Sequence, residues 1–339
     1  MITLVGDAYQ SYALTAYCLA NNPVADIYLV HSQDSYKEAT RVAKSIGRRN
    51  VNFIQVNINS KDKLLKIISR NDIVCCGRSA IDPLAAVVMQ AAWEKDATVI
   101  LPDGAEFSMV SRWGVSKFFP PKVSITLETI LQLREIKFSL SRDEIDFALA
   151  AKIAESNHYQ HQANAWLEWV YGKTTTPPNI DFIPALAEMK EEWVRGGWLR
   201  EYTFHLVRRI DGVSDIAHSI YFSNKECTID VAATVGHRLI VFTCTLGSNC
   251  VNRALTVYAA ATRLTGDPSL VSLVIVGPEG GAIRWAERYL IDLGVPVVVV
   301  PLKSLANETV QGLIAERIDP EERRKKEYAE FLLRSRERD

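Results

Sequence analysis

At 339 residues the chain is longer than one ordinary hydrophobic core accommodates, so length alone favours two domains. Hydrophobic residues make up 48% and charged residues 23%, a globular composition that excludes the disordered and fibrous classes. Lys plus Arg (39) nearly balances Asp plus Glu (40), so no global field recruits nucleic acid or an anionic membrane, and any such binding has to be local.

The predicted elements alternate from the first residue. Met1–Val5 is a short apolar run that breaks at Gly6-Asp7, and Ser11–Asn21 follows with helical apolar spacing. Ile27–Val30 reads as a strand, Ser35–Ile46 as a helix, Val51–Val56 as a strand and Lys61–Ser69 as a helix. Asp72–Cys76 is the fourth strand, Pro83–Lys95 an apolar helix and Thr98–Leu101 a further strand. Strands alternating with helices of about 10–15 residues indicate βαβ units and a mostly parallel, Rossmann-like sheet. In such sheets ligands sit beyond the carboxyl ends of the strands, where N–H groups and helix N-termini are free. The small, polar loops at that edge are Gly6–Ser11, His31–Asp34 and Gly77–Ala80, which makes it the expected binding site.

From about Ile125 to Gly196 the strand rhythm stops, Arg142–Val170 reads as helical, and Thr174–Pro178 is a breaker. A second α/β region opens at Gly196-Gly197-Trp198 with a helix through Val207. Strands are expected at Ser219–Phe222, Thr228–Thr234 and Leu239–Thr245, then a long helix over Val251–Leu264. A strand at Leu270–Val276, a helix at Ala282–Leu293 and a buried strand at Val295–Pro301 complete it. Asp319–Asp339 reads as a solvated helix of mixed charge. The expected domains are therefore a Rossmann-like unit over 1–125, a helical linker over 126–195, a second α/β unit over 196–318 and a charged helix over 319–339.

Six cysteines at 18, 75, 76, 227, 244 and 250 form no C-x-x-C pair, which suits reduced, buried thiols rather than a zinc site or disulfide framework. No apolar run approaches the ~20 residues of a membrane span, and no leader-like segment opens the chain. The expectation is a soluble, cytoplasmic protein without a membrane partner.

Several familiar chemistries are missing. The first βα turn holds only Gly6 rather than G-x-G-x-x-G, which argues against NAD or FAD. Neither a P-loop nor a G-x-S-x-G nucleophile elbow occurs. His158 and His161 have a metal-compatible spacing on a predicted helix, but no third ligand lies near, and a surface pair is the simpler reading. Gly277–Gly281 resembles the cofactor loop of knotted RNA methyltransferases, yet a tight strand-to-helix turn explains it equally well.

The most informative segment is Asn224–Gly247, two strands folded about Gly236-His237 with Asp230 on the first. Metal-dependent nucleases of the PD-(D/E)xK type place an aspartate on one strand, with an acid and a lysine two residues apart on the next; alternation puts the latter pair on one face. Their carboxylates hold a divalent cation that activates water. With the GGWLR segment Gly196–Arg200, the TIDV segment Thr228–Val231, the TCT segment Thr243–Thr245 and the CCGRS segment Cys75–Ser79, the chain resembles the CRISPR-associated Rossmann fold (CARF) effectors. In these a sensor domain precedes a restriction-endonuclease-like domain, and the likeness runs from about Met1 to Leu302.

The resemblance implies a homodimeric type III receptor for cyclic oligoadenylate, most often the tetramer, lying across a two-fold axis. The implied ligand residues are Gly6, Asp7, Ala8, Tyr9, Gln10, Ser11, Ser32, Gln33, Gly77, Arg78, Ser79 and Ala80. Among them Tyr9 would stack on adenine, Gly77 would let the backbone approach a phosphate, and Arg78 would pair with it. In the second domain the pattern departs from the family: Thr243 and Thr245 stand where the acid and lysine are expected, Thr228 replaces a glutamate, and Arg200 replaces the glutamate of the opening helix. Only Asp230 survives, with Glu226 a displaced substitute. Hard cations take charged oxygens, so the expectation is no cofactor and weak or absent cleavage; Mg²⁺ or Mn²⁺ enters, at Asp230, only if the nuclease is active. Such a receptor would sequester the messenger, regulate an active partner, or bind nucleic acid without cutting it. The alternatives left open are an active metal-dependent nuclease, slow cleavage of the ring in the sensor, and sensing of another nucleotide.

Overall fold

The computed structural model describes residues 1–47, 50–77, 82–103, 106–111, 113–118, 123, 125–143, 147–158, 168–169, 172–176, 196–222, 228–246, 250–277 and 281–301. The predicted helix at Asp319–Asp339 lies outside them, as do Arg78, Ser79, Ala80, His161 and Glu226.

The first half is built from β1 (Ile2–Leu4), α1 (Ala8–Asn21), β2 (Ile27–His31), α2 (Tyr36–Ile46), β3 (Val51–Gln55), α3 (Lys61–Ile67), β4 (Ile73–Cys76), α4 (Pro83–Glu94) and β5 (Thr98–Asp103). β6 (Glu106–Ser111) and β7 (Gly114–Phe118) extend it. The strand order is β3-β2-β1-β4-β5-β6-β7, parallel through β5 and antiparallel beyond. The helices start where their side chains supply caps. Asp7 accepts from the N–H groups of Tyr9 and Gln10, and Asp82, followed by Pro83 in the first turn, accepts from Leu84 and Ala85. α2 stops at Gly47, whose φ of 68° is the left-handed conformation a glycine takes freely.

The second half holds α5 (Leu127–Leu133), β8 (Phe138–Ser141), α6 (Phe147–His158), α7 (Trp198–Arg208), β9 (Val213–Phe222), β10 (Thr228–Val235), β11 (Arg238–Cys244), α8 (Cys250–Thr265), β12 (Val271–Gly277), α9 (Gly281–Asp292) and β13 (Val297–Pro301). Its sheet runs β13-β12-β11-β10-β9-β8, with the first three parallel and the rest antiparallel. The α/β class and the two-sheet plan match expectation. Three strands do not: β6 and β7 were not foreseen, and β8 lies in the stretch read as helical linker. β7 and β8 stand at sheet edges and β6 is next to the edge; β7 is exposed and β8 is four residues long, so none has the apolar run that marks a central strand.

The two sheets share one core. Leu29, Cys75 and Ile100 of the first sheet, Ala13 and Leu14 of α1 and Ile130 of α5 join Val241 and Leu273 of the second sheet and Leu264 of α8 in a single buried cluster. The opposite face of the first sheet is covered by α3 and α4, through Leu64, Leu84 and Val88. The opposite face of the second is covered by α6 and α7, around fully buried Trp198 and Phe242. Arg142 on Glu128 and Asp215, and Arg41 on Glu135 at 2.6 Å, pin α5 to β9 and α2. Among the described residues no helix is long and apolar enough to cross a membrane.

Candidate functional site

The carboxyl ends of β1, β2, β3 and β4 meet at one edge of the first sheet, on either side of the point where the strand order reverses between β1 and β4. Gly6, Asp7, Ala8, Tyr9, Gln10 and Ser11 form the β1–α1 turn there, Ser32 and Gln33 the turn after β2, and Gly77 the end of β4. The edge opens into a cleft of about 640 Å³ that Ser32, Gln33, Asp34, Gln55, Asn57, Ser60, Lys63 and Asp82 line. Its polar groups are mainly amides, hydroxyls and carboxylates. Lys63 is the one lysine or arginine among the lining residues, and its ammonium donates to the carbonyl of Gln55 at 2.9 Å. The walls are fixed by their own short bonds. Ser32 and Ser35 exchange backbone and hydroxyl contacts at 3.0–3.2 Å, and Asn57 is bonded to Asn59 and Ser60 at 2.9–3.0 Å. Such a surface matches ribose hydroxyls and base edges better than it matches a row of phosphates.

The β1–α1 turn is occupied differently from expectation. Tyr9 is fully buried, and its hydroxyl donates to the carbonyl of His237 at 2.5 Å, in the β10–β11 turn of the other half. Burial pushes its phenol well above the ordinary range. Tyr9 therefore presents no face for stacking on adenine, which corrects the sequence expectation. Among the described residues no aromatic ring lines the cleft in its place. Gly77 also has a packing role: a Cβ there would lie 2.2 Å from the Ser11 hydroxyl and 3.0 Å from the carbonyl of Leu4. Its closest neighbour is the β1–α1 turn, where Ser11 accepts from the N–H of Gly6 at 3.2 Å. Asp7, besides capping α1, pairs with Arg134 at 2.7 Å, and Gln10 donates to Asp267 at 3.2 Å. Arg134 and Asp267 were absent from the sequence reading; nothing local marks them, because they reach the edge from α5 and from the turn after α8.

The second site centres on Asp230, which is buried. Its Oδ2 accepts from the N–H of Cys244 at 2.8 Å and its Oδ1 from Arg253 in the first turn of α8. Burial pushes the carboxyl above the usual aspartate range, and Arg253, the Cys244 N–H and Arg200 draw it back only in part. The register that pairs Val231 with Phe242 sets Asp230 across from Thr243, which is fully buried with a hydroxyl that finds no hydrogen-bond partner among the described residues. Thr245 donates its backbone N–H to Val276 at 2.9 Å. Among the described residues no group of three His, Cys, Asp or Glu is arranged to hold a metal. A divalent cation does not fit Asp230 as it stands: a backbone N–H and a guanidinium hold its two oxygens, and its cross-strand neighbour is a neutral hydroxyl. Arg200, 4.0 Å from Glu201, adds a second positive charge beside this carboxylate. His218, in the neighbouring strand, has its imidazole pulled below the ordinary histidine range by burial and is held at both ring nitrogens by Ser219 and the carbonyl of Asp143, each at 3.0 Å. Arg253 had no place in the sequence reading. Gly277, from the loop weighed as a methyltransferase motif, ends β12 against the carbonyl of Thr245, 2.6 Å from where a Cβ would be.

Neither a family model nor a curated protein sequence matches the chain. Solved structures do. Can2 from Sulfobacillus thermosulfidooxidans, in complex with cyclic tetra-adenylate, aligns with a TM-score of 0.67 and 14% identity over 91% of this chain and 98% of its own. Protein VC1899 from Vibrio cholerae aligns with a TM-score of 0.69 and 12% identity over 94% of this chain and 98% of its own. At such identities the likeness establishes a common fold through both halves of the molecule.

Proposed function

We propose that the chain is a receptor for cyclic oligoadenylate whose second, nuclease-like half does not cut. The observation that carries the reading is the pairing of a polar cleft at the carboxyl edge of the first sheet with an Asp230 already held by Arg253. The near full-length fold shared with a protein solved in complex with cyclic tetra-adenylate supports the first part. The cleft's amides and hydroxyls suit adenosine, and its volume is too small for a whole ring of four nucleotides, so each chain would take part of it. A ring with two-fold symmetry is then met by an isologous pair of chains, which makes a homodimer the expected receptor. Arg78, Ser79 and Ala80 remain proposed phosphate contacts by resemblance, at the end of the strand that Gly77 closes.

The second half follows from Asp230. A carboxylate bonded to its own arginine, beside threonines where an acid and a lysine are needed, activates no water and steadies no leaving group. The test combines two assays on the full chain. In a thermal-shift panel, cyclic tetra-adenylate at 100 times its Kd should stabilise the protein by about 2.7 kcal/mol, while linear tetra-adenylate leaves it unmoved. With the ring bound and Mn²⁺ added, plasmid DNA and single-stranded RNA should stay intact. Cleavage that Asp230→Ala abolishes would overturn the inert assignment, and equal stabilisation by the linear form would overturn the receptor.

A further inference from the structure

Large apolar side chains exposed one at a time are ordinary on a protein surface, but a contiguous row of them marks a contact. α9 carries such a row. Its inner face, Ile283, Ala286 and Leu290, is buried in the molecule. On the outer side Trp285 is 59% exposed, Tyr289 40% and Leu293, just past the end of the helix, 54%. The i, i+4, i+8 spacing sets the three in one stripe, and the two rings stack with centroids 5.2 Å apart and planes 15° from parallel. Arg284 and Arg288, both exposed, run along one side of the stripe, and Asp292 is the exposed acid beside it. Among the described residues no other helix exposes three large apolar side chains in line.

We propose that this stripe is the docking site of the chain's own C-terminal segment Glu327–Leu333, laid on it as an amphipathic helix. Residues 302–339 lie outside the described ones. Sequence, reach and charge favour this segment as the occupant, independently of the receptor reading. Its residues E-Y-A-E-F-L-L place Tyr328, Phe331 and Leu332 at i, i+3 and i+4, one apolar face of the helix expected there. The tether from Pro301 to Glu327 is residues 302–326, which span up to about 80 Å when extended. It starts beside the stripe, because β13, which Pro301 ends, packs against α9. Glu327 and Glu330 are the segment's only charges, and they meet Arg284 and Arg288 as opposites. A second copy of α9 would instead bring two more exposed arginines to the two already there. A tether supplies an effective concentration of about a millimolar, so a contact with a Kd of about 0.1 mM is already about nine-tenths occupied.

Hydroxyl-radical footprinting of the full chain tests this, since mass spectrometry follows each tryptophan separately. Trp113, 82% exposed, and fully buried Trp198 set the fast and slow limits. With the segment docked, Trp285 should label about tenfold more slowly than Trp113, at a rate independent of chain concentration. Phe331→Asp should bring Trp285 close to the Trp113 rate while Trp198 stays slow, which reports an intact fold. Glu327→Arg with Glu330→Arg should also expose Trp285, and adding Arg284→Glu with Arg288→Glu should restore its protection. Trp285 labelled as fast as Trp113 in the wild type overturns the proposal, as does protection that Phe331→Asp leaves unchanged. Protection that deepens with chain concentration gives the face to a second copy and overturns it too. A double reversal that restores nothing overturns the pairing of the two glutamates with the two arginines.

Discussion

Asp230 has one oxygen on the Cys244 N–H and the other on Arg253, and the proposed loss of cleavage rests on that residue. Its burial has a pH signature. Because the folded state raises its pKa, the favourable contribution is full below the ordinary aspartate value and is lost as pH rises through the raised one. Wild type should therefore lose stability relative to Asp230→Asn as pH rises above the ordinary aspartate value of about 4. Thermal denaturation of both proteins across that range checks it; a difference that stays constant, or grows in favour of wild type, would show that Arg253 outweighs burial. The position of Asp230 on a strand was legible from the sequence, and so was its isolation from other acids. Arg253 was not, since a partner 23 residues away in sequence becomes visible only when α8 folds back on β10 and β11. Tyr9 shows the same limit from the other side: it was read into the loop after the first strand, and neither the start of α1 at Ala8 nor the turn of its ring into the other half of the chain was legible.

At the scale of elements, the turns carry most of the specificity. The β1–α1 turn and the end of β4 lock together through Gly77 and Ser11, and this contact sets the floor of the proposed binding edge. Gly77→Ala should cost about 1–3 kcal/mol through overpacking, with Ser11→Ala in the same chain recovering part of it. Urea denaturation of the single and double variants measures this; a neutral Gly77→Ala would place the pressure on this glycine with the ligand instead. The central strands and the helices between them were legible because their signals are local, continuous apolar runs and helical apolar spacing, whereas the caps Asp7 and Asp82 and the stop at Gly47 emerge from the structure. The edge strands β7 and β8, and β6 beside the edge, were not, because half-exposed strands draw their register from a neighbour rather than from their own sequence.

For the whole molecule, two sheets close on one core, and the helices between them belong to both. Length foretold two α/β units and chain order foretold the Rossmann-like half first, but the sharing of α1, α5 and α8 between sheets was not encoded in any periodicity. That sharing makes a cleft at one sheet edge and a carboxylate in the other half parts of one packed body. The account's central claim is that this body receives a cyclic oligoadenylate, and the most direct test is calorimetric titration of the full chain with cyclic tri-, tetra- and hexa-adenylate beside linear tetra-adenylate. The account predicts tight binding of one ring size, the tetramer, at one ring per two chains, with no heat from the linear form. No binding of any ring, or equal binding of the linear form at one per chain, would contradict it.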